Sequence, residues 1–274
     1  MEFCSIFVEN IFVMKSFIIA LALLASLVAC GSQQQKSVAQ PQIVQPTTYA
    51  CLVKNVYPHS VDSYTQGLQF VDGVMWEGTG EYGSSQIVTY SLGDSEPKVL
   101  NKLPRSEFGE GITHFGDRIY QLTWLSNRAH VYDSEGRHLK SVSYKGEGWG
   151  ITTDGENLYL SDGTSTIRRV NPDTFATEAS ICVTLDGQPL DLINELEWVD
   201  GSIWANVYLT DAVVEIDPKS GEVLGYVDMP LLRERLKDNP EAEAFNGVAY
   251  NPETGHFYVT GKDWNRLFEV EIIK

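Results

Sequence analysis

The sequence predicts an all-β fold, a five-bladed β-propeller, on two observations. One unit recurs five times: a polar or aromatic residue, usually a Gly, a short apolar run, a Gly turn and a second apolar strand. A period of roughly 40 to 50 residues with about four short strands per unit is typical of propeller blades. Strand signals are also dense, with alternating apolar and β-branched residues between Gly, Asp and Asn turns.

The five copies begin at equivalent positions with different side chains. They open at Gln66, Glu110, Trp149, Asn194 and Asn246. Because a propeller places the same position of every repeat around one central axis, these side chains are expected to converge on one site. Four different types of side chain at equivalent positions indicate a functional role in addition to a structural one. Asn246 is the weakest member, since its side chain could serve only to close a turn.

The N-terminal region is not expected to belong to the fold. An apolar run from Phe17 to Ala29 follows Met14-Lys15 and ends in Leu-Val-Ala-Cys-Gly, with Cys30 as its cysteine. This pattern is typical of a signal peptide, and the run is shorter than the roughly 20 residues that a bilayer requires. The ending resembles a bacterial lipobox. Residues 1–30 are therefore predicted to be upstream residues and a lipoprotein signal peptide; an ordinary signal peptide cut nearby is the alternative.

The same region predicts location and attachment. A lipidated Cys30 would leave an exported protein anchored in the bacterial envelope, on the periplasmic side and at the outer membrane if the host has two membranes. Residues 31–48 are rich in Gln, Ser, Pro and Thr and are predicted to be a disordered tether. Residues 49–274 are then the catalytic propeller domain, expected to act as a monomer.

Charge and cysteine content restrict the partners. The net charge of −17 argues against nucleic acid or an anionic membrane surface, so membrane contact is expected through the lipid anchor only. Cys51 and Cys182 could form a disulfide or remain two buried thiols. The five His are scattered, without the spacing of a metal site. We therefore expect no metal and no cofactor.

Ring closure is predicted from a missing strand. The last repeat has only three strands before Lys274. The segment from Tyr49 to Tyr57 alternates acceptably and could supply the fourth strand by pairing with residues near Leu267 to Ile272, which would remove an exposed sheet edge. One amphipathic helix is predicted from Pro230 to Asp238.

Two charged residues are candidates for chemistry. Glu110 lies among Phe, Gly and Ile residues at an axis-facing position. Partial desolvation should raise its pKa toward the range useful for proton transfer. Glu77 is the competing carboxylate. Lys262 is placed at the channel mouth, where Trp76, Trp124, Tyr208 and Trp264 are also expected.

Several motifs occur in order, one or two per blade: Tyr64-Thr-Gln-Gly-Leu68, Phe108-Gly-Glu-Gly-Ile-Thr113, Gln121-Leu-Thr-Trp124, Glu147-Gly-Trp-Gly150, Asn194-Glu-Leu-Glu197, Trp204-Ala-Asn-Val-Tyr208 and Val259-Thr-Gly-Lys262. From about Cys51 to the end, the chain resembles the plant and bacterial glutaminyl cyclase (glutamine cyclotransferase) family. The resemblance implies a five-bladed propeller that converts N-terminal Gln of peptides or proteins to pyroglutamate, with release of ammonia and without a catalytic metal.

The resemblance also implies roles for individual residues. Glu110 matches the acid/base, while Lys262, Asn194 and Gln66 match residues of the catalytic site. The substrate-binding positions are aromatic: Trp124, Trp149, Tyr208, Phe108 and Tyr64. Tyr208 stands where many members have Trp, so the pocket wall should differ there without losing an aromatic surface.

Two other functions are compatible with a propeller. A lactonase-like hydrolase with a central metal needs several carboxylates and an Asn at the axis, whereas Glu110 is the one acid among the five opening positions. In a non-enzymatic binding propeller the repeats tend to resemble each other at those positions.

Overall fold

A computed structural model gives the fold and describes residues 45–94 and 96–274. Two predictions, the signal peptide with Cys30 and residues 31–44 of the tether, lie outside the described residues. Within those ranges there is one short α-helix, α1 (Pro230–Glu234), and the remaining regular structure is β. The same residues contain no helix that is long and apolar enough to cross a membrane.

The described strands are, in chain order, β1 (Thr47–Thr48), β2 (Ala50–Pro58), β3 (Thr65–Val71), β4 (Val74–Thr79), β5 (Gln86–Ser91), β6 (Lys98–Lys102), β7 (Gly109–Phe115), β8 (Arg118–Thr123), β9 (Arg128–Asp133), β10 (His138–Ser143), β11 (Ile151–Thr153), β12 (Leu158–Leu160), β13 (Thr166–Val170), β14 (Thr177–Cys182), β15 (Thr184–Leu185), β16 (Gln188–Pro189), β17 (Ile193–Val199), β18 (Ser202–Val207), β19 (Ala212–Ile216), β20 (Val223–Asp228), β21 (Phe245–Asn251), β22 (His256–Gly261) and β23 (Arg266–Ile273).

These strands form a five-bladed β-propeller. Strands β3–β6 make blade 1, β7–β10 blade 2, β11–β14 blade 3, β17–β20 blade 4, and β21–β23 with β2 blade 5. The innermost strands β3, β7, β11, β17 and β21 contact one another in a closed ring. A small hairpin, β15–β16, lies between blades 3 and 4.

The N-terminal strand forms the outer edge of blade 5. Strand β2 runs antiparallel to β23, with Cys51 opposite Ile272 and Tyr57 opposite Leu267. The strand begins at Ala50, because Tyr49 belongs to blade 4: its hydroxyl donates a 2.7 Å hydrogen bond to Glu215. Ahead of it, β1 pairs in parallel with β20. Residues 47–48, assigned by the sequence to the tether, are therefore part of the sheet.

The inner strands are bulged where the repeats open. The antiparallel register shifts between Thr65 and Gly67, Gly109 and Ile112, Ile193 and Leu196, and Phe245 and Val248. A bulge removes a residue from the regular ladder and re-aims its side chain. This explains how Gln66, Glu110 and Asn194 face the axis although their strands pack within blades.

The Gly that follows most opening positions permits close approach of neighbouring blades. A Cβ on Gly67 would lie 2.4 Å from the backbone nitrogen of Ile112, and one on Gly111 would lie 2.7 Å from the carbonyl oxygen of Trp149. The Gly111 N–H donates a 2.8 Å hydrogen bond to that carbonyl. These glycines are therefore needed for the diameter of the ring.

Blade 4 replaces this Gly with a buried carboxyl group. Glu195 accepts hydrogen bonds from the backbone N–H of Leu68 at 3.2 Å and of Val248 at 2.9 Å. Burial, reinforced by nearby Glu197, raises the pKa of Glu195 well above its ordinary value. One side chain thus ties blade 4 to blades 1 and 5.

The helix is shorter than predicted. It ends at Glu234 rather than Asp238, because the backbone N–H groups of Arg235, Leu236 and Asn239 donate to carbonyls three residues back, as in tight turns. Leu236 nevertheless stays buried with Leu232 in the core between blades 4 and 5. Leu231 of the same predicted amphipathic stretch is exposed, so the apolar face was predicted only in part and the helix was predicted too long.

The two cysteines of the propeller are free. Cys51 is partly buried in β2 of blade 5, and Cys182 is exposed in β14 of blade 3. The disulfide that the sequence left open is not formed, and Cys182 is not a buried thiol either.

Candidate active site

A pocket of about 230 Å³ lies where the inner strands converge. Its lining combines charged, amide and aromatic side chains: Tyr64, Gln66, Phe108, Glu110, Trp124, Trp149, Asn194, Tyr208 and Lys262. These are the catalytic and substrate-binding candidates that the sequence predicted within the propeller. The volume is below the roughly 300–1,000 Å³ of drug-sized pockets, so it suits a single amino-acid residue.

Four of the five opening positions reach this pocket, and Asn246 does not line it. Asn246 is fully buried, and its Nδ2 donates to the carbonyl oxygen of Thr65 at 3.1 Å and to Oε1 of Gln66 at 3.3 Å. Because its oxygen is held in this way, Gln66 keeps its amide N–H donors for a ligand. Asn246 therefore orients Gln66 from behind.

Glu110 is the buried acid of the pocket. It is 4 % exposed and lies at the bulge of β7. Burial raises its pKa well above the ordinary value; Lys262 opposes the shift and Glu147 adds to it. A carboxyl group with a raised pKa can both hold and release a proton near neutral pH.

Lys262 is the buried basic side chain of the pocket. It is 4 % exposed, and its ammonium group lies 4.6 Å from the ring centre of Tyr64 and 4.9 Å from that of Tyr208. Burial lowers its pKa, and the carboxylates around it, with Glu110 foremost, oppose that shift. Cation–π contacts hold the charge, and no described residue forms an ion pair with it within 4.0 Å.

Asn194 presents an unused acceptor. The residue is 2 % exposed, and its Oδ1 has no hydrogen-bond partner among the described residues. Its backbone carbonyl accepts from the Ser161 hydroxyl at 2.5 Å, which fixes this part of the bulged strand. A buried acceptor without a partner costs about 1–3 kcal/mol, so a ligand N–H at this position would be stabilised.

The aromatic residues form a nearly continuous wall. Phe108 lies edge-on to Tyr64 at 6.1 Å and to Trp124 at 5.7 Å between ring centres, while Trp149 lies edge-on to Tyr208 at 5.5 Å. Lys262 lies between Tyr64 and Tyr208, so it joins the two halves of the wall. Flat apolar walls of this kind would enclose a planar amide and exclude water.

The competing carboxylate Glu77 and two tryptophans expected at the channel mouth, Trp76 and Trp264, lie outside the pocket. Glu77 has a fully buried side chain that accepts hydrogen bonds from Thr65 at 2.6 Å and contacts His59 at 3.1 Å. Trp264 is part of the core between blades 4 and 5, and Trp76 packs edge-on against His114. Being inside or just after a strand was not enough to place them in the pocket.

Glu147 is a residue whose contribution the sequence analysis missed. One of its carboxylate oxygens accepts the indole N–H of Trp124 at 2.7 Å and that of Trp149 at 2.8 Å. The available signal was its position two residues before Trp149 in the motif Glu147-Gly-Trp-Gly150.

The fold and the pocket define a propeller with an axial pocket lined by a buried carboxyl group, a buried lysine, amide side chains and aromatic rings. Comparisons with known proteins specify this class. The glutamine cyclotransferase family matches residues 21–272. A glutaminyl-peptide cyclotransferase of Arabidopsis thaliana is 35% identical over 223 residues, which cover 79% of this chain and 69% of that protein.

Solved structures agree with the sequence comparison. The crystal structure of Myxococcus xanthus glutaminyl cyclase matches with a TM-score of 0.76 and 35% identity, covering 84% of this chain and 99% of that one. A Bacteroides thetaiotaomicron protein of unknown function matches at a TM-score of 0.50 and 14% identity, a likeness of fold alone. The chain belongs to the glutamine cyclotransferase family.

Proposed function

We propose that this protein is a glutaminyl-peptide cyclotransferase, which converts the N-terminal Gln of peptides or proteins to pyroglutamate and releases ammonia. Family membership and the two relatives at 35% identity support this activity. The single observation that carries the mechanism is the pairing of two buried ionisable groups, Glu110 and Lys262, in one pocket with aromatic walls.

The reaction is an intramolecular acyl transfer. The α-amine of the N-terminal Gln attacks the carbon of its own side-chain carboxamide, so a C–N bond forms and a five-membered lactam closes. The bond from that carbon to the amide nitrogen breaks, and the nitrogen leaves as ammonia. Because the nucleophile is part of the substrate, the pocket mainly has to fold the side chain back, which is an orientation effect.

One carboxyl group can serve both proton transfers. Glu110 takes the proton that the attacking amine loses and gives it to the departing nitrogen. No other acidic side chain is among the residues that line the pocket. The raised pKa of Glu110 suits a group that must alternate between its two forms at neutral pH.

The remaining polar groups stabilise charge and fix the substrate. Lys262 and the amide N–H groups of Gln66 are placed to stabilise negative charge on the carboxamide oxygen as the tetrahedral intermediate forms. The free Oδ1 of Asn194 accepts from a substrate N–H. Trp124 and Trp149 enclose the flat side chain and exclude the water that would hydrolyse it.

Ammonia release from a Gln-initiated peptide tests the proposal directly. Wild-type protein should release one ammonia per peptide while the peptide loses 17 mass units, about the mass of NH₃, and activity should survive chelation of metal ions because Glu110 and Lys262 carry the chemistry. Lactone hydrolysis without ammonia release would favour the lactonase-like alternative. Neither activity would favour a binding propeller.

We further propose that the protein is exported and anchored by a lipid on Cys30. The support is the apolar run followed by Leu27-Val28-Ala29-Cys30 and a polar segment. The anchor would place the enzyme on the periplasmic side of the bacterial envelope, acting there as a monomer. Radiolabelled fatty acid should be incorporated into wild-type protein and not into Cys30→Ala; labelling that persists in the variant would refute the anchor.

A further inference from the structure

Glu147 joins two walls of the pocket that come from different blades. Trp124 follows β8 of blade 2, whereas Trp149 precedes β11 of blade 3. A single oxygen, Oε2 of Glu147, accepts both indole N–H groups, at 2.7 and 2.8 Å. The rotation of each indole about its side-chain bonds is therefore limited by one shared acceptor.

The segment that carries Glu147 is itself held in place. Arg168 donates from Nη2 to the backbone carbonyl of Glu147 at 3.0 Å and from Nη1 to that of Lys145 at 2.7 Å. The carboxylate forms no ion pair within 4.0 Å among the described residues, and its hydrogen bonds come from the two indoles. Glu147 is also absent from the residues that line the pocket.

Glu147 links Trp124 and Trp149 in the aromatic wall by accepting a hydrogen bond from each indole. Lys262 links Tyr64 and Tyr208 by a cation–π contact with each ring. Two charged side chains therefore link parts of the aromatic wall: Glu147 from behind it and Lys262 from within it.

We propose that Glu147 is a positioning residue for the cyclisation, one that fixes both tryptophan walls through a single carboxylate oxygen from outside the pocket. The inference rests on the proposed function, since it assumes that the cyclisation takes place in this pocket. It assigns Glu147 no contact with the substrate.

Two variants separate the hydrogen bonds from a merely structural role. In Glu147→Gln the amide oxygen can still accept both indoles, so most of kcat/KM and the tryptophan fluorescence should be kept. In Glu147→Ala both indoles lose their acceptor, and kcat/KM should fall by about 10²-fold, the scale of a small misplacement in an active site. Its intrinsic tryptophan fluorescence, measured without substrate, should also shift.

Glu156→Gln is the matched control, because Glu156 is an exposed acid of the same blade whose side chain contacts no tryptophan. It should match wild type in rate and fluorescence. A folded Glu147→Gln protein as impaired as Glu147→Ala, or unchanged fluorescence and rate in folded Glu147→Ala, would overturn the positioning role. A wild-type protein that releases no ammonia would instead overturn the proposed function, which keeps the two failures distinct.

Discussion

At the scale of single residues, the site depends on two buried charges that are close enough to influence each other without forming an ion pair. Burial raises the pKa of Glu110 and lowers that of Lys262, and each group opposes the shift of the other. The two pKa values are therefore shifted toward each other, an arrangement that occurs at sites of proton transfer. The chemistry proposed for the pocket follows from this arrangement.

Replacement of Lys262 tests its role in charge stabilisation. In Lys262→Ala, kcat should fall more than KM rises, because the ammonium group is expected to act on charge that develops only in the transition state. Steady-state kinetics with a Gln-initiated peptide measures both constants. A rise in KM with kcat unchanged would make Lys262 a docking residue and would move the stabilising role to Gln66 and Asn194.

The sequence could predict which residues line the pocket because equivalent repeat positions meet at one axis. Gln66, Glu110 and Asn194 were found by that argument alone. It could not predict that Asn246 turns away to bind Gln66, since this depends on a bulge and on a cross-blade contact. Glu147 was missed because its partners are indole N–H groups on two separate blades, and no spacing in the chain reports such a contact.

At the scale of strands, alternation of apolar and β-branched residues predicted the all-β fold, because each strand packs its faces between neighbouring blades. The exceptions are informative. Two residues, Thr47–Thr48, are too few to show a pattern, and they pair in parallel with the outside of blade 4. The helix was overextended because buried leucines continue through tight turns.

Truncation tests the contribution of the N-terminal strand. Deletion of residues up to Val56 removes most of β2 and exposes the edge of β23, so the melting temperature of the whole propeller should fall. Deletion only up to Gln45 leaves β1, Tyr49 and β2 intact and should be silent. Thermal unfolding followed by circular dichroism compares the two, and equal melting temperatures would contradict a structural role for the strand.

At the scale of the whole molecule, blades 5 and 1 are joined by a buried pair of side chains. His59, just after β2, contacts the carbonyl of Trp264 through Nδ1 at 2.7 Å and Glu77 of β4 through Nε2 at 3.1 Å. Both side chains are at most 1% exposed. Burial acts to lower the pKa of His59, yet Glu77 and the Trp264 carbonyl outweigh it, and the net shift is upward.

This pair should make stability depend on pH. Because the pKa of His59 is raised in the folded state, its stabilisation is complete below the unfolded value of about 6.5 and is lost as pH rises through the folded value. The free energy of unfolding lost in His59→Gln should therefore be largest below about pH 6.5 and shrink as pH rises above that value. Urea unfolding of both proteins across this range measures it.

The difference in free energy of unfolding between wild type and variant cancels the pH dependence contributed by the other buried acids. One of these is Glu197, whose pKa burial raises to about 8. In a Glu77→Gln background burial is no longer outweighed by Glu77, so the loss caused by the same His59 replacement should no longer shrink as pH rises. A loss of constant size at every pH would mean that His59 contributes packing alone.

The central claim is that Glu110 transfers the protons of the cyclisation, and that Glu77, the buried carboxyl group of blade 1, does not. The most direct measurement is ammonia release from a Gln-initiated peptide by folded Glu110→Gln and Glu77→Gln proteins. Glu110→Gln should keep the fold and the pocket volume while kcat falls by about 10²–10⁴-fold, or about 3–5 kcal/mol, and Glu77→Gln should retain turnover per folded molecule. Near-full turnover in Glu110→Gln together with its loss in Glu77→Gln would contradict the account.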